Sequence, residues 1–216
     1  MENKDAAQTG REELLGRAPI YRLFLKLIGG DQARQWIAEN FWSSNGIEKV
    51  VDIGCGLGDA RRYLPENISY CGLDISENYI RAARKRFSNR DTFILADASS
   101  ARTYDDERLM MADLVLCNGL LHHLSDDDAI TILESIKKIL RPRGRLVCIE
   151  ATYLVRQGKL SKWVVSLDRG EYVRSESEWK ELVRKVFPSH RTHIVTGLIR
   201  IPYTHIIIEC ANQAAG

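Results

Sequence analysis

The feature that most restricts how this chain can fold is a succession of short runs that are apolar nearly throughout, interleaved with helical patterns. Lys49 to Ile53, Tyr70 to Leu73, Thr92 to Ala96, Asp113 to Cys117 and Arg145 to Glu150 have strand length. Helical periodicity falls near Asp59 to Leu64, from Ser76 to Phe87 and from Ser125 to Leu140. A strand exposed on one face alternates apolar with polar residues, whereas one covered on both faces does not. Strands separated by helices pair in parallel, because the helix supplies the crossover. The pattern therefore predicts an α/β fold with a mostly parallel sheet covered by helices on both faces. Near the C-terminus, His193 to Ile199 and Tyr203 to Cys210 are separated only by Arg200-Ile201-Pro202. That link is too short for a crossover, so these runs form an antiparallel hairpin and the sheet contains one reversed strand.

Helix termini are written locally. Ser125 with Asp128, and Ser175 with Glu178, are spaced as capping boxes; the second opens a helix bearing Trp179, Leu182, Val183 and Val186 on one face. Arg141-Pro142 ends the preceding helix. Ahead of the first strand, Pro19 to Ile28 reads as a helix stopped by Gly29-Gly30, and Asp31 as the cap of a second helix carrying Ala33, Trp36, Ile37 and Phe41. The expected division is an N-terminal helical cap, 1–46, and a main domain, 47–216, interrupted by a connector near 153–174.

Composition excludes several alternatives. At 216 residues, 44% hydrophobic and 28% charged, the chain is globular in type and of single-domain length. Its net charge of +2 lacks the basic excess that reads nucleic-acid backbones, and no apolar stretch reaches membrane-spanning length. The first ten residues lack an apolar signal core, and the five cysteines form no CxxC pair, so packed thiols in a cytoplasmic protein without a bound metal are expected.

The densest chemical signal is Val50-Val51-Asp52-Ile53-Gly54-Cys55-Gly56-Leu57-Gly58, with glycines at alternate positions directly after a strand. Such glycines let the backbone turn sharply and approach a ligand. Asp74 lies twenty residues after Gly54, at the end of the second strand, where a carboxylate can accept both hydroxyls of a ribose. The dinucleotide pattern G-x-G-x-x-G fails because position 59 is Asp. The carboxylates of Asp52 and Asp59 oppose a pyrophosphate and favour a cationic or zwitterionic nucleoside ligand.

Taken together with Gly72-Leu73-Asp74-Ile75-Ser76, Leu95-Ala96-Asp97-Ala98, Asp113 to Leu124 and Leu140 to Leu146, this motif resembles the class I S-adenosylmethionine-dependent methyltransferases, of the small-molecule type common in bacteria. The resemblance runs from about Val50 to Glu150. It implies a Rossmann-like seven-stranded sheet with one antiparallel strand, S-adenosylmethionine as cofactor and S-adenosylhomocysteine as product. It also implies roles for particular residues. Asp52 lies near the amino group of the methionine moiety, which Gly54, Cys55 and Gly56 line, with Gly58 completing the turn. Asp74, followed by Ile75, holds the ribose. Asp97 accepts from the adenine amine beside the Ala98 N–H; the competing reading makes Asp97 a turn cap before Ser99. Asn118 and Gly119 face the methionine part near the methyl.

His122 and His123 follow. Neighbouring side chains do not point into one pocket in regular structure, and the resemblance favours His123 as the inward residue and candidate general base. Glu150 and Tyr153 are placed to assist. The leading expectation is methyl transfer to a small-molecule acceptor, by preference at oxygen and by in-line displacement. Arg169, Arg174 and Arg200 could clamp an anionic acceptor, although pairing with Asp168, Glu171 and Glu176 is the more ordinary fate of such arginines. N-methylation, a nicotinamide-dependent oxidoreductase and a non-catalytic cofactor-binding partner subunit stand as alternatives. The oxidoreductase is weakened by Asp59 and by the lack of a Ser-Tyr-Lys set. Asn118-Gly119-Leu120-Leu121 lacks the Asn/Asp-Pro-Pro-aromatic pattern of nucleobase methylation.

Overall fold

The computed structural model describes residues 29–212 apart from 44–45, 88–90, 156 and 167–170. The expected helix from Pro19 to Ile28, and Asp168 and Arg169, lie outside the described residues. Helix α1 spans Gly30–Ile37 and widens into a π-helical turn, Ala38–Trp42. Strand β1 (Lys49–Ile53) leads through the glycine turn and a 3₁₀ turn, Asp59–Tyr63, to β2 (Ser69–Asp74). Helix α2 (Glu77–Arg86), β3 (Thr92–Leu95), β4 (Ala112–Asn118), α3 (Asp126–Ile139) and β5 (Leu140–Tyr153) follow. The chain then runs through α4 (Lys159–Ser166), the two-residue β6 (Arg174–Ser175), α5 (Glu176–Arg184), β7 (His190–Thr196) and β8 (Thr204–Ala211).

The strands lie in the order β3-β2-β1-β4-β5-β8-β7, with β6 paired to β5 off this path. Neighbours from β3 to β5 are parallel, and β8 is antiparallel to both β5 and β7. The reversed strand is therefore the one that the short hairpin link required. From β1 the chain winds outward to β2 and β3, then returns to place β4 on the other side. This change of direction leaves a crevice at the C-terminal ends of β1 and β4, where the crossovers diverge.

Each sheet face buries its own core. Val51, Ile53, Val115, Leu146 and Ile208 pack with Ile132, Leu133 and Ile136 of α3 and Trp179, Leu182 and Val183 of α5. On the opposite face Val50, Leu114, Leu116, Val147 and Ile207 meet Ile37, Phe41 and Trp42 and the α2 residues Ile80 and Ala83. Fully burying each of these aliphatic side chains contributes about 1.5–3 kcal/mol, which explains why the strands read as unbroken apolar runs. The Ser175 capping box is complete, and Ser76 and Ser125 each accept from the backbone N–H three residues on.

Several local expectations differ from the structure. Asp31 does not cap its helix: Gly29, at φ 85°, is the cap residue. The Asp31 carboxylate instead accepts from the Tyr63 hydroxyl at 2.9 Å. Trp36, expected on the packed face, is exposed. Strand β5 is longer than its apolar stretch, because Arg141 before Pro142 is biased to extended backbone and Leu140 pairs with Ala112 after a register shift. The connector 153–174 contains α4, whose signal in the sequence is only eight residues long. All five cysteines are buried, and among the described residues no helix is long and apolar enough to cross a membrane.

Candidate active site

Strand register delivers the acids of β1 and β2 to one place. Asp52 is opposite Gly72 on β2 and Leu116 on β4, so alternation puts Asp52, Asp74 and Asn118 on the same sheet face at the crevice. The glycine turn links them. Gly54, Gly56 and Gly58 have φ of 72°, 55° and 71°, in the region that side chains disfavour. At Gly58 a Cβ would also lie 2.8 Å from the Phe93 ring.

Four of the turn's N–H groups, those of Gly54, Cys55, Gly56 and Gly58, are already used. Gly54 and Cys55 both donate to the Leu73 carbonyl at 2.9 Å, and Gly58 donates to the Cys55 carbonyl. Gly56 N donates to Asp74 Oδ2 at 2.9 Å, while Asp74 Oδ1 accepts from Ser76 N at 2.8 Å. A phosphate-binding turn presents these donors to its ligand; this one turns them inward. Asp59 is paired with Arg86 at 2.5 Å, and Arg84 donates to the Phe93 carbonyl, so much of the basic run on α2 is tied to the fold.

Asp52 is only 3% exposed, and its Oδ2 accepts from the Tyr70 hydroxyl at 2.6 Å. Burial, reinforced by the negative charges of Asp74 and Asp59 and opposed by the Tyr70 hydrogen bond, pushes its pKa up to about 7. Asn118 Oδ1 is buried with no hydrogen-bond partner among the described residues. Asp97 lies just past β3, where its Oδ1 accepts from Ser99 N at 2.8 Å and Ser99 Oγ at 2.7 Å, the geometry of a turn cap. Ala98 supplies its carbonyl to the Tyr104 hydroxyl. Ile75 leaves its apolar side chain exposed beside Asp74, as does Leu95, which is paired with Asp74 across the strands. Gly119, at φ 66°, opens the turn after β4 and donates its N–H to the Ile149 carbonyl at 2.8 Å.

That turn is held by two buried charges of opposite sign. Glu150, 1% exposed in the C-terminal part of β5, accepts from the N–H groups of Leu120, Leu121 and His122 at 3.2, 3.0 and 3.4 Å. Its Oε2 also lies 2.5 Å from His122 Nδ1. From the other side, the Arg174 guanidinium donates to the carbonyls of Leu121, Leu124 and Tyr172 and pairs with Asp126. It also stacks over the Trp179 ring at 4.8 Å. Arg174 is thus committed to the fold rather than presented to an acceptor. Of the two histidines the buried one is His122, at 4% exposure; His123 is half-buried, its ring centroid 4.2 Å from that of His122. The sequence favoured His123 as the inward residue; in the structure it is His122 that is buried, against the carboxylate beneath the turn. Tyr70 and Arg174 carry no motif, and only their contacts identify them.

Residues 51–146 match the family model described as a methyltransferase domain. The chain is 26% identical over 206 residues to the non-reducing polyketide synthase dbaI of Emericella nidulans, a match covering 85% of this chain and 8% of that protein. It is 30% identical over 142 residues to a carboxy-S-adenosyl-L-methionine synthase of Shewanella halifaxensis, covering 62% of this chain and 54% of that enzyme. The chain thus spans less than a tenth of the synthase and about half of the second relative. Among solved structures, the mitomycin 7-O-methyltransferase MmcR superposes with a TM-score of 0.67 at 22% identity, over 93% of this chain and 60% of that one, a likeness of fold. The methyltransferase-domain match thus lies over the glycine turn, Asp74 and the turn after β4, and the superposition shows a shared fold.

Proposed function

We propose that this protein transfers a methyl group from S-adenosylmethionine to a small-molecule acceptor, at oxygen, with His122 as general base and Glu150 as the group that orients it. The observation carrying this reading is the buried carboxylate–imidazole pair, 2.5 Å apart, placed immediately after Asn118 and Gly119. The residues of the crevice fit the cofactor. Carboxylates at Asp52 and Asp74 favour a ligand bearing ammonium and sulfonium charge, and the orphaned Asn118 oxygen is an acceptor awaiting a donor. The inward-turned donors of the glycine turn oppose a pyrophosphate, which disfavours a nicotinamide dinucleotide. Asp74 is placed for the ribose hydroxyls, Asp52 and Asn118 for the ammonium, and Ile75 with Leu95 for apolar contact with the nucleoside.

S-adenosylmethionine supplies a methyl group already activated on a positive sulfur. The protein's own task is to orient the acceptor, exclude water and hold a proton. Glu150 fixes the His122 ring through Nδ1, which assigns proton acceptance to Nε2 and stabilises the imidazolium formed. A hydroxyl acceptor loses its proton to that nitrogen as the oxygen takes up the methyl. His123, half-buried against the same ring, contacts the acceptor in this reading. The connector with α4 bounds the acceptor in this reading.

The test is release of S-adenosylhomocysteine by the full-length protein with phenols, amines and β-dicarbonyl carbon acids. Turnover confined to hydroxyl acceptors is expected, with His122→Ala losing about 10²–10⁴-fold while cofactor affinity holds. Turnover of amines or carbon acids alone overturns the oxygen assignment. A His122→Ala protein at full rate overturns the base.

A further inference from the structure

The Tyr70–Asp52 pair has no part in proton transfer to the acceptor, yet it is built with care. Tyr70 and Asp52 are on adjacent strands and the same sheet face, with Gly72 between them in register. A Cβ at Gly72 would fall 2.8 Å from Cys55 Sγ and 3.1 Å from Tyr70 Cε1, so the missing side chain is what admits the tyrosine ring beside the acid. The ring is buried and fixed by Phe93, 5.7 Å away between centroids, which is itself stacked on Phe87. The Tyr70 hydroxyl is held strongly in its protonated form by burial and by Asp52, so it acts as a donor only.

The groups that face Asp52 are Asp74 from β2, Asp59 from the turn after the glycines, Cys55 from the glycine turn and Tyr70 itself, while Cys117 of β4 acts on it from the other face of the sheet. Asp59 is also paired with Arg86, and no cation pairs with Asp52 among the described residues. Asp52 is thus a buried acid beside a second acid, and it takes its hydrogen bond from a neutral donor. A cationic ligand brought against it favours the ionised acid.

We propose that Tyr70 is a positioning residue for the cofactor: its hydroxyl fixes the Asp52 carboxylate at the glycine turn and keeps it ready to ionise, so that cofactor uptake expels one proton from Asp52 to solvent. This rests on the reading that Asp52 meets the cofactor's ammonium. With the acid's pKa near 7 before binding, affinity rises with pH up to that point and then levels.

The experiment is isothermal titration of the full-length protein with S-adenosylmethionine between pH 5.5 and 7.0, where the ligand's amine stays charged, in buffers of different ionisation enthalpy. Wild type is expected to release close to one proton at pH 5.5 and about half at pH 7.0, with affinity rising about tenfold between them. Tyr70→Phe removes the donor, moves this dependence to higher pH and lowers affinity at pH 7.0 by about tenfold. Asp52→Asn, which does not depend on the tyrosine's folding role, abolishes proton release. Binding without proton release, or Tyr70→Phe with wild-type affinity and pH dependence, overturns this inference alone. Absence of binding by wild type at every pH overturns the cofactor assignment, and this inference with it.

Discussion

Replacing Glu150 with glutamine changes almost no volume but removes the negative charge under the histidine turn. The carboxylate accepts from three backbone N–H groups and from the His122 ring. A glutamine oxygen can serve the Leu120 and Leu121 donors; its amide nitrogen then meets the His122 N–H, donor against donor. Hydrogen bonds to a charged acceptor contribute roughly 1.5–3 kcal/mol each against about 1 kcal/mol for neutral ones, and an unsatisfied buried donor costs about 1–3 kcal/mol. The loss is therefore about 3–5 kcal/mol, in the range for breaking a buried charged pair. For a domain of this size that lowers Tm on the order of 6–20 °C. Thermal unfolding of Glu150→Gln measures it, with Glu134→Gln on the exposed side of α3 as a control expected within about 0.5 kcal/mol of wild type. The same variant should shift the His122 ring nitrogens in an ¹⁵N NMR spectrum, since Nδ1 loses its anionic partner. A Tm within 2 °C of wild type, by order of magnitude below any broken buried charged pair, together with an unaltered His122 spectrum, would refute the argument that this carboxylate holds the turn.

Two further changes probe the cofactor end of the crevice. Asp74→Ala is expected to weaken S-adenosylmethionine binding roughly tenfold to a hundredfold by calorimetry, as charge-assisted bonds to a ribose are lost, while the protein stays folded. Unchanged affinity removes Asp74 from the site. Gly58→Ala combines a φ of 71° with a Cβ placed 2.8 Å from Phe93, and denaturant unfolding should show a loss of about 2–5 kcal/mol. A neutral result means the turn relaxes more readily than its packing suggests.

Much of this architecture could be read along the chain because its causes are local or periodic. Uniformly apolar strands followed from burial on both faces, the serine caps from side chains three residues from their partners, and the reversed strand from a link too short to cross over. The motif residues Asp52, Gly54, Cys55, Gly56, Gly58, Asp74, Asn118 and Gly119 gather at one crevice because strand register carries them there. Where two local solutions competed, the sequence was a weaker guide. Asp31 could cap a helix, but Gly29 already provided the cap residue and Tyr63 took the carboxylate. Asp97 engages Ser99 in its own turn.

What the sequence determined by itself is the order of strands and helices, the mixed parallel sheet and the glycine-and-acid signature of a methyltransferase domain, since each depends on residues near one another in the chain. Only the tertiary structure decided that His122 rather than His123 is buried, that Arg174 is spent on the Leu121, Leu124 and Tyr172 carbonyls, and that Tyr70 holds Asp52. Glu150 reaches His122 across 28 positions and Arg174 reaches Leu121 across 53. The physical reason is the same in each case: a buried charge must find compensation wherever the fold brings a partner within hydrogen-bond reach, and neither spacing nor residue type encodes that meeting.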